Sequence, residues 1–122
     1  MRQREQRKVG RVGEAQQIPE VPASAVPEGG WLLDVREPHE WAAGHVPQAT
    51  HMPLAQINHR ADEIPRDSTV YVICRSGARS ARVTLALVGA GWQAVNVGGG
   101  MQDWAAAGRP MVSETGIAPT VA

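Results

Sequence analysis

The chain has 122 residues, enough for one domain and one core, with 43% apolar content but four Trp, one Tyr and no Phe, so the core must be mainly aliphatic. Twelve basic and twelve acidic residues cancel, and no apolar run approaches the ~18–20 residues of a membrane span. The single cysteine excludes an internal disulfide and a multi-cysteine zinc site.

The charge is uneven. Arg2, Arg4, Arg7, Lys8 and Arg11 crowd the first eleven positions, whereas seven Arg face ten acidic residues from Glu20 onward. Residues 1–17 are polar and lack periodicity, so they read as a disordered basic arm; the alternative, a nucleic-acid or partner-binding arm, is a weak signal from so short a run. They also lack the apolar stretch of a secretory signal. With no disulfide to form, a cytoplasmic location is the expectation, without membrane or nucleic-acid partners.

A domain is expected over 18–111. Ile18–Val21 predicts a short edge strand before the Pro- and Gly-rich stretch PASAVPEGG. Trp31–Val35 is an apolar run behind two glycines and predicts a buried strand. Pro38 suits a helix start, with His39–Ala43 making one or two turns ended by Gly44. Ala49–Met52 predicts another strand, and Pro53 opens a helix to about Ala61, with Leu54, Ile57 and Ala61 on one face. Thr69–Ile73 is the strongest strand, β-branched and aromatic throughout. It runs into Cys74 and a turn, Arg75-Ser76-Gly77-Ala78, before a helix from Arg79 to Val88. Ala94–Val97 predicts a strand, Gly98-Gly99-Gly100 a turn, and Met101–Ala107 a last helix stopped by Gly108 and Pro110. Residues 112–122 show no pattern and read as a flexible tail. Strands alternating with helices imply an α/β domain with a mostly parallel sheet.

In such a sheet, ligands bind beyond the carboxyl ends of the strands. Cys74 stands at one of these ends, immediately before a helix N-terminus whose unpaired amides and dipole favour an anion. Arg75 and Arg79 add positive charge, and Gly77 lets the backbone curl round the sulfur. Surroundings of this kind lower a cysteine pKa from about 8.5 into the ~3.5–7.5 range. The plainer reading is a small buried hydrophobe ending a strand, but a polar, basic, Gly-containing loop makes a poor core partner.

The run Cys74-Arg75-Ser76-Gly77-Ala78-Arg79-Ser80 resembles the active-site loop of the rhodanese family. Leu33-Asp34-Val35-Arg36-Glu37-Pro38-His39-Glu40-Trp41-Ala42-Ala43-Gly44-His45-Val46-Pro47 resembles the family's upstream signature, and Gly98-Gly99-Gly100-Met101-Gln102-Asp103-Trp104 its closing one. The resemblance implies a rhodanese-like domain: about five parallel strands, with helices on both faces. It also implies sulfur transfer without metal or organic cofactor. Cys74 would take sulfur from a small sulfur-containing anion such as thiosulfate, or from a persulfide, and pass it to cyanide, a thiol or a carrier protein. Arg75, Ser76, Gly77, Ala78 and Arg79 would form the substrate-binding loop. Three departures stand out. The segment between Ile18 and Trp31 is short where a full helix is usual. Gln48 replaces a common glycine. Ser76 replaces the lysine of some thiosulfate-using members, which puts that donor in doubt.

Asp34 and Arg36 end the strand beside Cys74, either as outer supports that orient the loop or as a structural ion pair involving Glu40. Arg79 is expected to stabilise the thiolate and attract thiosulfate; the alternative is an outward first-turn residue paired with an acidic neighbour. His39, His45, His51 and His59 lack ligand spacing and read as surface or loop-packing residues, and Trp41 and Trp104 as core anchors. Two other functions fit parts of the pattern. A Cys-dependent phosphatase or arsenate reductase would use a Cys-x5-Arg loop, one residue longer than Cys74 to Arg79, and a shorter ring of amides suits sulfur better than a phosphate. A non-catalytic binding or regulatory module usually lacks the cysteine.

Overall fold

The fold is built around Val70–Ile73 (β4), a strand apolar on both faces and therefore able to sit only in the middle of a sheet covered on two sides. In the computed structural model, which describes residues 18–122, β4 is the centre of five parallel strands. Trp31–Asp34 (β2) and Ala94–Gly98 (β5) flank it, Thr50–His51 (β3) lies outside β2, and Glu20–Pro22 (β1) lies outside β5, giving the order β1-β5-β4-β2-β3. The register pairs Leu33 with Val72 and Val70 with Ala94, so one layer of aliphatic side chains runs across three strands. The expected basic arm over 1–17 lies outside the described residues.

Alternation along the strands divides the core. Leu33, Val35, Val70, Val72 and Ala94 face Val83 and Leu87 of the helix Ala78–Gly89 (α3), with Ile57 of the short helix Ile57–Arg60 (α2) packed alongside. Leu32, Ile73 and Val97 face the other way, onto Met101 and Trp104 of Gly100–Ala106 (α4) and onto Ala23 and Val26. The helix expected from Pro53 to about Ala61 is instead a single turn of α2 between two 3-10 turns, Leu54–Gln56 and Ala61–Glu63. The proline-rich entry keeps one 3-10 turn, Ala23–Ala25, which packs against α4.

The helix Pro38–Ala43 (α1) follows β2 and carries a capping box. The Glu37 side chain accepts from the Glu40 amide, and Glu40 Oε1 accepts from the Glu37 N–H at 2.9 Å. Residues 112–122 contain no helix or strand beyond a bridge between His45 and Val112. They lie along the end of α1: the Glu114 N–H donates to Ala42 O at 2.8 Å, the Thr120 N–H donates to Ala43 O at 2.9 Å, and Val121 packs on the α4-side core.

Candidate active site

A parallel sheet places every strand's carboxyl end at one edge, so the loops after β2, β4 and β5 meet there. Cys74 follows directly on β4 and is 1% exposed. Gly77, the residue before α3, takes φ +106°, a left-handed conformation that lets the chain turn back over the sulfur. The turn brings three donors onto Cys74 Sγ: the Gly77 N–H at 3.2 Å, the Ser80 N–H at 3.3 Å and the Ser80 hydroxyl at 3.3 Å. The two amides are among the first of α3 and lack an intrahelical acceptor, so the sulfur supplies one. Burial pushes the thiol pKa up. The Ser80 hydroxyl and the amides of Ser80, Gly77 and Ser76 together pull it further down, leaving it below the ordinary thiol value. The donors that favour the charged sulfur are thus dipoles at the start of α3, and Arg79 adds a favourable charge interaction with it.

The loop is braced from three sides. From β5, the Asn96 amide Nδ2 donates to Gly77 O at 3.3 Å and to Glu20 Oε1 at 2.8 Å. From α4, the Met101 and Gln102 N–H groups donate to the carbonyls of Cys74 and Arg75 at 2.8 and 3.0 Å. This close approach requires Gly100, at φ +54°, because a Cβ there would collide with the Cys74 carbonyl oxygen and come within 2.7 Å of the Arg75 carbonyl carbon. From α1, Glu40 takes both terminal nitrogens of Arg79, each at 2.8 Å. The pair holds the Glu40 carboxyl well below its usual range, at about 2, mainly through the hydrogen bond from Arg79, and it raises the Arg79 pKa.

Asp34 and Arg36 are both fully buried and paired with each other, with Arg36 Nη2 at 2.8 Å and Nε at 3.0 Å from the carboxylate. The remaining Arg36 donors reach the carbonyls of Glu40 and Gly44 at 3.3 and 2.8 Å. The two charges are therefore spent on each other and on backbone carbonyls. Arg36 touches Glu40 through its backbone only, and in doing so fixes α1, the helix that carries Glu40 to the loop. Arg75 and Ser76 are exposed, and the Arg75 Nε–H donates to Ala122 O at 3.0 Å.

The structure thus brings Cys74, Gly77, Ser80 and Arg79 together, leaves the Arg75 and Ser76 side chains at the rim, and turns Arg79 toward Glu40. Three residues were not singled out as site residues from sequence. Ser80 had a readable signal, since it occupies the third position of the helix whose amides were expected to face the sulfur. Glu40 had half of one, as part of the capping box. Asn96 had none, because only the register of β5 places it beneath Gly77. Among the described residues no three of His, Cys, Asp or Glu gather to hold a metal ion. His45 and His51 instead stack on either side of Trp41, with ring centroids 3.5 and 4.6 Å away.

The model of the rhodanese-like domain family matches residues 12–107. A sulfurtransferase of Allochromatium vinosum is 41% identical over 86 residues, covering 70% of this chain and 80% of that protein. The putative sulfur carrier protein YrkF of Bacillus subtilis is 39% identical over 74 residues, covering 60% of this chain but only 40% of that protein. Among solved structures, a rhodanese-related protein of Thermoplasma volcanium superposes with a TM-score of 0.73 at 32% identity, covering 77% of this chain and 97% of that one.

Proposed function

The chain belongs to the rhodanese-like domain family, and on that premise we propose that it is a sulfurtransferase carrying sulfane sulfur as a persulfide on Cys74. The observation that carries this reading is the cradle of three donors on Cys74 Sγ, two of them helix N-terminal amides. It favours the ionised form of that sulfur, the form that attacks a donor and that must leave when an acceptor takes the cargo.

The transfer has two steps, each displacing one sulfur by another nucleophile. The Cys74 thiolate attacks the outer sulfur of a donor R–S–S⁻ or of thiosulfate. A new S–S bond forms, the donor's S–S bond breaks, and a thiolate or sulfite leaves with the electron pair. An acceptor nucleophile (cyanide, a thiolate or the thiolate of a carrier protein) then attacks the outer sulfur of the persulfide and returns Cys74 to its thiolate. No net redox change occurs at the protein. The dipoles that stabilise the thiolate also make Cys74 a good leaving group in the second step. The similarity to a protein named as a putative sulfur carrier supports acceptance or donation through protein partners as well as small molecules.

The test is mass spectrometry of the protein after incubation with thiosulfate or with an alkyl persulfide. One added sulfur is expected on wild type and none on Cys74→Ser, which keeps the shape but cannot form the S–S bond. Thiocyanate formation should vanish with it. Turnover that survives in the folded Cys74→Ser protein refutes the mechanism.

A further inference from the structure

The surroundings of Cys74 hold two arginines whose charge is already answered. Arg36 is cancelled by Asp34 in a fully buried pair. Arg79, the loop arginine nearest the helix start, is gripped at both ends by Glu40, whose side chain is 8% exposed and cannot readily swing away. Glu37, one residue before α1, adds a further negative charge that acts on Arg79. Ser76 and Ala78, the other exposed loop residues, are neutral. Among the described residues the loop's remaining cation is Arg75, whose Nε donates to an oxygen of Ala122, the last residue of the sequence. A rim with so little uncompensated positive charge suits a donor with one negative charge better than a donor with two.

We infer that Glu40, by neutralising Arg79, sets the donor class of the site: monoanionic organic persulfides are preferred over dianionic thiosulfate. The inference rests on the sulfur-transfer reading above and adds to it the identity of the donor. Glu40 acts here through Arg79 and not on the reacting atoms. A dianion gains twice what a monoanion gains from each unit of positive charge released at the rim, so freeing Arg79 favours thiosulfate selectively. At a separation of several ångströms near the surface, one unit of charge is worth roughly three- to tenfold in the ratio of the two rates at low salt, and the advantage shrinks once the Debye length is short.

The experiment measures the rate of persulfide formation on Cys74, by mass spectrometry, with 2-hydroxyethyl persulfide and with thiosulfate. It uses the full chain as wild type, Glu40→Gln, Arg79→Gln and the double variant, each at low and high salt. Wild type should load faster from the organic persulfide. Glu40→Gln should shift the thiosulfate-to-persulfide rate ratio upward by about three- to tenfold at low salt and by less at high salt. Arg79→Gln, which leaves Glu40 uncompensated, should shift it downward, and the double variant should return it to near the wild-type value. Circular dichroism reports folding; if Glu40→Gln does not fold, the opposite shift in Arg79→Gln carries the test. An unchanged ratio in the folded variants, or a shift that ignores salt and persists in the double variant, overturns the inference while leaving sulfur transfer intact. Failure of wild type to load from either donor overturns the sulfur-transfer reading, and the inference falls with it.

Discussion

The Ser80 hydroxyl is the one donor to the Cys74 sulfur that a side-chain substitution can remove. Ser80→Ala leaves the Gly77 and Ser80 amides in place at 3.2 and 3.3 Å and deletes only the hydroxyl contact at 3.3 Å. A hydrogen bond to an ionised acceptor contributes about 1.5–3 kcal/mol, and a diffuse sulfur acceptor at this length belongs at the low end of that range. A loss of about 1.4 kcal/mol converts to a rise of about one pH unit in the Cys74 pKa. The sign follows because the hydroxyl favours the charged form, so its removal restores part of the cost of burial. The assay is the pH dependence of iodoacetamide alkylation of the lone cysteine, whose midpoint in wild type should lie below that of a free thiol and in Ser80→Ala about one pH unit higher. A folded variant with an unmoved midpoint would show that the thiolate is stabilised by the amides alone.

Other substitutions test the supports of the loop. Gly100→Ala should lower stability by about 2–4 kcal/mol in urea unfolding, because it adds strain at φ +54° to a collision with the Cys74–Arg75 backbone. Gly29→Ala, where nothing lies within 4 Å of the added carbon, should change stability by less than about 0.5 kcal/mol, and equal effects would remove the packing argument. Asp34→Ala should cost about 3–5 kcal/mol by leaving Arg36 buried without its anion; a thermal melt within a degree of wild type would contradict this. Glu40, lowered from 4.5 to about 2, should stabilise the fold fully above about pH 4.5 and lose that contribution as the pH falls through 2. The shift corresponds to about 3 kcal/mol, reduced to about 1.5 kcal/mol because the Arg79 side chain is 33% exposed and screened by water. The stability gap between wild type and Glu40→Gln should therefore close between pH 4.5 and 2, and a gap independent of pH would refute the assignment.

The α/β alternation, the central strand and the place of Cys74 at that strand's carboxyl end were all readable in the chain. Their causes are local: β-branched residues at Val70, Val72 and Ile73, glycines at the breaks, and a cysteine placed where a strand hands over to a helix. Element ends slipped by a residue or two, as at β1, which begins at Glu20 and not Ile18, and at α3, which begins at Ala78 because Gly77 takes the left-handed turn. The segment after Pro53 carries a helical spacing of Leu54, Ile57 and Ala61, yet it settles into one α-turn between 3-10 turns. Spacing defines an apolar face but not how tightly the backbone winds beneath it.

Partnership was a matter for tertiary structure. Asn96 reaches Gly77, and Met101 reaches the Cys74 carbonyl, only because β5 lies beside β4 in a particular register. The fate of Arg79 is the clearest case. Within the loop it reads as a cation available to an anionic substrate, whereas Glu40, 39 residues earlier on another helix, claims both ends of its guanidinium. Charge in a sequence is a count, and the field at a site depends on which charges the fold places within a few ångströms of one another.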